Sequence, residues 1–225
     1  MKMPLKIGVV TVGQTPREDI LGDVGDLWRG IEVLECGALD ELTDVEVSSL
    51  QPSPLKAPIV TRLRTGHGVV VDKSFLMPRV QACFKRLAQK GVRVLVLLCT
   101  GHFPRPDVAI PVVLPEPLLL RSVSTLGIRR LGVLTPHLQQ FPDQKARWMK
   151  AGISYVAVAA ANPYAQDALL QIEQAAMLLK TFEVEAVVLD CLGYTREHKE
   201  VVNDLLEKPT ILARTLLARF VAELC

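Results

Sequence analysis

The sequence predicts an α/β protein with two pseudo-symmetric doubly wound lobes, and three observations support this prediction. Short aliphatic runs alternate with segments of helical periodicity along the 225 residues, as in right-handed βαβ units with parallel sheets. Hydrophobic residues make up 49% of the chain and aromatic residues only 5%, which suits the aliphatic core of a parallel sheet. The third observation is an internal repeat.

Four segments of the first half recur in the same order in the second half. Segments starting at Lys6, Gly30, Val92 and Pro111 match segments starting at Arg130, Gly152, Glu185 and Pro209. The matched segments lie closer together in the third and fourth pairs than in the first two pairs, so about 30 residues of the first half have no counterpart. The repeat therefore predicts two similar lobes and an insertion in the first.

The first lobe opens with an apolar run of strand length at 7–12. Thr15 is followed by Pro16 and, three residues after itself, by Glu18, which is a capping box with proline at the first helical position. A helix is therefore expected to begin there. The second strand is predicted at 31–36, and a weaker helical pattern covers 38–50.

The unmatched segment contains two short strands, 58–63 and 68–72, around Thr65-Gly66-His67, and predicts a hairpin. Ser74 then caps a helix that ends at Gly91. The remaining elements follow the repeat. Strands are predicted at 92–98, 110–114, 131–134, 153–159, 186–189 and 210–212, and helices at 116–126, 138–150, 166–182, 195–206 and 214–224.

These elements divide the chain into two lobes. The first is expected to span residues 1–113, with the hairpin insertion at 55–73, and to be completed by a C-terminal helix at 213–225. The second is expected to span residues 114–212. Ligands of such folds bind beyond the carboxyl ends of the strands, so the site is predicted in the cleft between the lobes.

Cys99 and Cys191 each follow the most aliphatic strand of a lobe and open a glycine-containing loop. One thiolate could remove a proton from a carbon next to a carboxylate while the opposite thiol delivers a proton to the other face. The helix expected near Thr195 should stabilise the Cys191 thiolate. Alternatively, both are merely small buried residues, or they bind metal with His102 or His198, although neither spacing is a zinc pattern.

The loop after the first strand is the best candidate for binding an anion. Thr11, Gln14 and Thr15 offer hydroxyl and amide groups, and Arg17 could hold a carboxylate with two hydrogen bonds. Asp190 is expected to point to the opposite face from Cys191 and to brace its loop. Further substrate contacts are predicted from Thr100, Gly101, Thr135, Gly193 and Tyr194.

Composition excludes several functional classes. The net charge of +2 without a basic run argues against nucleic acid, and no apolar stretch has the length of a membrane span. The sequence has no phosphate-binding lysine loop and no dinucleotide fingerprint, so no nucleotide cofactor is expected. The start lacks a secretory signal and the five cysteines form no disulfide framework, which predicts a reduced cytoplasmic protein.

Four sequence motifs resemble those of a known family. They are TVGQTPR at 11–17, ECGALD at 35–40, LCTG at 98–101 and LDCLGY at 189–194. Together they resemble the AroM family, and two lobes with matched cysteines resemble the aspartate/glutamate/hydantoin racemase superfamily. The resemblance covers essentially the whole chain. It implies cofactor-independent chemistry at a carbon beside a carboxylate or carbonyl, with Cys99 and Cys191 at the positions of the two superfamily cysteines.

Two departures concern the substrate. Leu192-Gly193-Tyr194 stands where the amino-acid racemases have threonine and histidine, and the first loop lacks the Asp-Ser pair of glutamate racemases. The leading hypothesis is a racemase or epimerase of a small carboxylate-bearing or hydantoin-like molecule. A homodimer is one expected form of the protein. The alternatives are a single-cysteine decarboxylase, a cis-trans isomerase of a dicarboxylate, and a non-catalytic sensor of a small molecule.

Overall fold

The strands form two four-stranded parallel sheets and one antiparallel hairpin in the computed structural model, which describes residues 5–51 and 58–225. In chain order the strands are β1 (Leu5–Thr11), β2 (Ile31–Gly37), β3 (Pro58–Arg62), β4 (Gly68–Asp72), β5 (Val94–Leu98), β6 (Val112–Val113), β7 (Arg130–Thr135), β8 (Tyr155–Ala160), β9 (Ala186–Leu189) and β10 (Thr210–Leu212). The helices are α1 (Glu18–Leu21), α2 (Asp44–Ser48), α3 (Lys73–Ala88), α4 (Pro115–Ser124), α5 (Phe141–Lys150), α6 (Ala168–Lys180), α7 (Arg196–Leu206) and α8 (Ala213–Ala222).

The two parallel sheets have the same topology. The first has the order β2-β1-β5-β6, and the second, read from its other edge, has the order β8-β7-β9-β10. In each sheet the first strand of the lobe lies between the second and the third, and the fourth strand forms the edge. The predicted α/β fold with two similar lobes is confirmed.

Three apolar clusters form the core among the described residues. The central one joins residues of both sheets, such as Val9 and Val133, with side chains of α4, α5 and α8. The second lies between the first sheet and α3, and the third lies between the second sheet and helices α6 and α7. The central strands β1, β5, β7 and β9 are buried on both faces, which explains their aliphatic runs.

The hairpin of β3 and β4 pairs Pro58 with Asp72 and Arg62 with Gly68. This matches the two strands expected in the insertion, whose first part, 55–57, lies outside the described residues. Helix α8 contacts α4, and Trp28 donates its indole N–H to the carbonyl of Ala218 at 2.9 Å. The last helix therefore contacts α4 of the second lobe and, through Trp28, the first lobe, and the proposed division into lobes stays a prediction.

The start of the first helix was predicted wrongly. The amide and hydroxyl of Thr15 both donate to the Asp40 carboxylate, at 2.7 and 2.9 Å, so this side chain is not free to cap. Helix α1 begins only at Glu18, without a side-chain cap. The helix expected at 38–50 is reduced to α2, where Thr43 and Glu46 form a capping box.

The expectation of five reduced cysteines is also corrected. Cys36 at the end of β2 and Cys83 in α3 form a disulfide with a Cα–Cα distance of 5.6 Å. The packing of α3 on the first sheet brings the two together across 47 residues of sequence. Cys99, Cys191 and Cys225 are free. Within the described part of the chain, no helix is long and apolar enough to cross a membrane.

Candidate active site

The two free cysteines of the sheets line one small cavity of about 50 Å³. Cys99 follows β5 directly and Cys191 lies two residues after β9, and these strands are equivalent in the two lobes. Since the carboxyl ends of parallel strands meet at one edge of each sheet, the two loops face each other across the cleft. A volume of this size holds only a few water molecules, so the site is nearly closed in this structure.

The two cysteine loops have the same local geometry. The amide of Gly101 donates to the sulfur of Cys99 at 3.4 Å, and the amide of Gly193 donates to the sulfur of Cys191 at 3.3 Å. Each bond joins a cysteine to the residue two positions later. The repeat in the sequence is therefore a repeat in the site, with each sulfur held by one backbone donor.

The pKa of the Cys191 thiol is raised, whereas the helix start near Thr195 was expected to stabilise its thiolate. Burial raises the pKa of Cys99 to about 11, although the Gly101 amide and the charges of Lys73 and Arg147 lower it in part. Burial, with the neighbouring Cys99 and Asp190, raises the pKa of Cys191 to about 12. Desolvation thus outweighs any effect of the α7 N-terminus, and both thiols are protonated at neutral pH in this structure.

These raised pKa values predict an alkaline loss of stability. Above the ordinary thiol pKa of 9.0, the unfolded chain releases protons that the folded chain keeps up to pH about 11 or 12. The free energy of unfolding should therefore fall as the pH rises through this window. We expect urea unfolding at about pH 8 and about pH 10 to show a smaller fall for the Cys99→Ser, Cys191→Ser double variant, because serine does not titrate there. An equal fall in both proteins would contradict it.

Arg17 lies at the cavity, but most of its donors are already used. It is 2% exposed and donates to both carboxylate oxygens of Asp19 at 2.9 and 2.8 Å, to the hydroxyl of Thr11 at 2.8 Å and to the hydroxyl of Tyr164 at 3.0 Å. Arginine has five N–H groups, so one on Nη1 stays available within the described part of the chain. Arg17 thus cannot hold a carboxylate with the fork that the sequence suggested.

Tyr164 was not predicted as a site residue. It follows the carboxyl end of β8 and brings its hydroxyl to Arg17 across the two lobes. Burial raises its pKa to about 12, although Arg17 opposes this shift. A Cβ atom on Gly193 would lie 2.6 Å from the Tyr164 hydroxyl, so only glycine allows this approach. The position of Tyr164 after a strand end was the signal that could have identified it.

Among the predicted binding residues, Arg17, Thr100, Gly101 and Gly193 line the cavity with the two cysteines. The others lie behind its wall. The Gln14 amide donates to the carbonyls of Leu39 and Leu42, and Tyr194 is fully buried and donates to the carbonyl of Ala161 at 2.7 Å. Thr11 and Thr135 are also fully buried and bond within the protein. These four support the loops rather than face the cavity.

Asp190 also lines the cavity, contrary to the expectation that it points away. Strand β9 ends at Leu189, so the alternation of strand side chains does not extend to Asp190. Its carboxylate forms an ion pair with Arg147 of α5, through Oδ2 and Nη2. Arg147 donates as well to the carbonyl of Thr100 at 2.8 Å, and the Thr100 hydroxyl donates to the carbonyl of Asp190 at 3.1 Å. This triangle ties the two cysteine loops together.

The hairpin covers the cavity. Ile59, Val60 and Thr61 of β3 form part of its lining, and Gln140 donates to the carbonyl of Pro58 at 2.8 Å. A larger outer cavity of about 380 Å³ shares several lining residues with the inner one. The shared residues are Ile59, Gly101, Gln140, Gln144 and Arg147. The outer cavity therefore lies next to the cavity of the cysteines.

The alternative of a metal site finds no supporting cluster of ligands among the described residues. His198 is buried in the first turn of α7, where its Nδ1 accepts from the amide of Thr195 at 3.1 Å. His102 is bonded to Glu116 at 2.7 Å on the outer cavity. Neither histidine lines the inner cavity with the cysteines.

Comparison with protein families gives one match over nearly the whole chain. The model of the family described as AroM protein matches residues 7–225, and it confirms the family resemblance of the four motifs. Among proteins of curated function, no sequence matches.

Solved structures of similar fold include racemases and a decarboxylase. Glutamate racemase from Francisella tularensis subsp. tularensis, in complex with D-glutamate, has 13% identity and a TM-score of 0.65, covering 98% of this chain and 81% of that one. Allantoin racemase from Klebsiella pneumoniae has 16% identity, a TM-score of 0.61 and coverages of 98% and 87%. Unliganded arylmalonate decarboxylase has 13% identity, a TM-score of 0.59 and coverages of 97% and 91%. The chain shares the two-lobe fold of these proteins.

Proposed function

Because the chain belongs to the AroM protein family and has the fold of the aspartate/glutamate/hydantoin racemase superfamily, we propose that it is a cofactor-independent isomerase. Its reaction is racemisation or epimerisation at a carbon next to a carboxylate or carbonyl of a small molecule. The observation that carries the proposal is the pair of free thiols, Cys99 and Cys191, at equivalent strand ends of the two lobes on one cavity.

The mechanism needs one thiolate and one thiol on opposite faces of the substrate, so one of the two buried thiols, both protonated in this structure, first has to release its proton to water. The thiolate takes the proton from the acidic carbon, and the electron pair left behind spreads into the adjacent carbonyl group. The opposite thiol then gives its proton to the other face, which inverts the carbon and leaves the roles of the two sulfurs exchanged. A sulfur separation of roughly 7–9 Å would put each within reach of one carbon, and this separation stays a prediction.

The surrounding groups suit the charge that develops in such a reaction. Arg17 contributes its remaining N–H and its positive charge on the Cys191 side, and its charge lowers the pKa of that thiol in part. The positive charges of Arg147 and Lys73 likewise lower the pKa of Cys99 in part. Fixed donors in a site with little water stabilise an enolate-like transition state strongly. Thr100, Gly101 and Gly193 complete the proposed contacts with the substrate.

The test is solvent-deuterium incorporation by the purified protein into a panel of single-enantiomer carboxylic acids and hydantoins. Nuclear magnetic resonance reports deuterium at the acidic carbon, and chiral chromatography reports inversion. Deuterium accompanied by inversion of the same carbon is the expected result. The same samples distinguish the alternatives, because carbon dioxide release indicates decarboxylation, and a shift in thermal unfolding without any exchange indicates a sensor.

One observation favours single-cysteine chemistry as the second candidate. The two sulfurs differ in their neighbours, since Lys73 and Arg147 influence Cys99, whereas Cys191 lies near Arg17 and has the higher pKa. A site of this kind could use one thiol as the acid that protonates a carbanion after loss of carbon dioxide, or as the nucleophile in a cis-trans isomerisation. In that case only one cysteine variant would lose activity.

A further inference from the structure

Three buried side-chain polar atoms have no hydrogen-bond partner in the described part of the chain. They are the hydroxyl of Thr61, Nε of Arg147 and Oδ1 of Asp190. All three residues line the inner cavity. Buried polar atoms are paired in most folded proteins, and each exception requires an explanation. Their concentration around one cavity points to a ligand that supplies the missing partners once the cavity widens, because the three atoms have almost no accessible surface in this structure.

The ion pair of Arg147 and Asp190 shows what those partners must be. Arginine and carboxylate often pair through two parallel hydrogen bonds, but here only Nη2 and Oδ2 are in contact. Nε lies two covalent bonds from Nη2, and Oδ1 lies two from Oδ2, so a free donor and a free acceptor are neighbours at the edge of the pair. A ligand that fits them carries an acceptor and a donor close together.

We propose that Thr61, Arg147 and Asp190 form a recognition subsite for small 2-hydroxy carboxylic acids. The carboxylate of the ligand accepts from Nε of Arg147 and from the Thr61 hydroxyl, and the hydroxyl on the adjacent carbon donates to Oδ1 of Asp190. The inference deepens the proposed function, on which it rests for the identity of the reacting carbon. That carbon bears both groups and would lie between the thiols.

A hydroxyl fits this subsite better than an ammonium group does. An ammonium brings three donors, whereas the unpaired acceptors are Oδ1 of Asp190 and the lone pairs of the Thr61 hydroxyl. The positive charge of an ammonium would also lie beside the Arg147 guanidinium, which already forms an ion pair with Asp190, and like charges repel each other. A plain carboxylic acid has no donor for Oδ1, so it leaves the buried Asp190 oxygen without a partner.

The first experiment measures binding, so it does not depend on turnover. Calorimetric titration of the full-length protein compares lactate with propionate and with alanine, and malate with succinate. We expect each hydroxy acid to bind about ten-fold or more tightly than its deoxy partner, because a hydrogen bond to a charged group is made only by the hydroxyl. Equal binding of the partners, tighter binding of alanine, or binding of none of these acids would overturn the proposal.

Thr61→Val is the sharpest variant, because the hydroxyl that it removes makes no bond within the described protein. Its melting temperature should not fall, while lactate and propionate should both bind about five-fold more weakly. Thr210→Val is the matched control. Thr210, the first residue of β10, is also buried, but its hydroxyl donates to the carbonyl of Lys208, so this variant should lose stability and keep its ligand affinity.

Asp190→Asn separates the two halves of the ligand. A neutral acceptor forms a weaker bond than a carboxylate, so the preference for lactate over propionate should fall several-fold. Unchanged preference in Asp190→Asn, or unchanged affinity in Thr61→Val, would refute the subsite. Hydroxy-acid binding without deuterium exchange would instead refute the proposed isomerase and leave the subsite standing. Deuterium exchange on acids that lack the hydroxyl would refute the subsite and leave the proposed isomerase standing.

Discussion

Replacing Cys191 by serine is expected to lower the rate of solvent-deuterium incorporation by about 10²- to 10⁴-fold, the usual contribution of a general acid or base. Serine keeps the shape of the side chain, but its hydroxyl is far too weak an acid to supply the base in water. Cys99→Ser should have a comparable effect, because racemisation needs both sulfurs in each turnover. The measurement is proton loss at the acidic carbon, followed separately from each enantiomer of the accepted substrate.

If the two thiols act on opposite faces of the substrate, Cys99→Ser and Cys191→Ser should each slow the reaction of a different enantiomer more strongly. Each variant keeps one cysteine, which can still remove the proton from one face of the carbon. The loss of activity should therefore be unequal for the two enantiomers. Cys225→Ser is the control, since this exposed free cysteine lies at the C-terminus. Full activity of both Cys99→Ser and Cys191→Ser would exclude thiol chemistry, and loss in only one would indicate the single-cysteine mechanism.

The second large effect is expected on stability, at Arg214 of α8. Its side chain is 2% exposed and donates to the carbonyls of Leu192, Gly193 and Asp19 at 2.8–3.0 Å and to the carboxylate of Asp23 at 2.9 Å. Arg214 therefore joins the last helix to the Cys191 loop and to the first lobe. Arg214→Met keeps the aliphatic stem but leaves all of these acceptors unpaired.

We expect Arg214→Met to lower the free energy of unfolding by about 3 kcal/mol or more, in the range for removal of one partner of a buried ion pair. Urea unfolding at neutral pH measures the change. Arg219→Met is the matched control on the same helix, because Arg219 is exposed and should change stability by less than about 0.5 kcal/mol. Similar stability of the two variants would show that the Arg214 network contributes little.

The fold could be predicted because its signals are local. Each buried strand is a short aliphatic run and each helix has a periodic apolar face, so the order of elements is readable along the chain. The internal repeat added the topology, since Lys6 and Arg130 begin matched segments that became the central strands of two equivalent sheets. Helix starts were less predictable, because Thr15 bonds to Asp40, a partner 25 residues away.

The site was predictable only in outline. Matched positions identified Cys99 and Cys191, and the loop after a strand end identified Arg17. The sequence did not reveal that Asp19 occupies the fork of Arg17, nor that Arg147 on helix α5 of the second lobe reaches Asp190 in the same lobe. Pairs of this kind depend on how helices dock, and no local pattern records the partner of a charged side chain.

By itself, the sequence determined that this is a two-lobe α/β protein with paired cysteines at the ends of equivalent strands, because periodicity and repetition are properties of neighbouring residues. Tertiary structure decided the chemistry of those cysteines. Burial raises both thiol pKa values where a nearby helix start suggested a lower value for Cys191, since desolvation depends on everything packed around a group. It also left three buried polar atoms unpaired around one cavity, because residue 61 of the hairpin and residues 147 and 190 of the second lobe come to line the same space only in the folded protein.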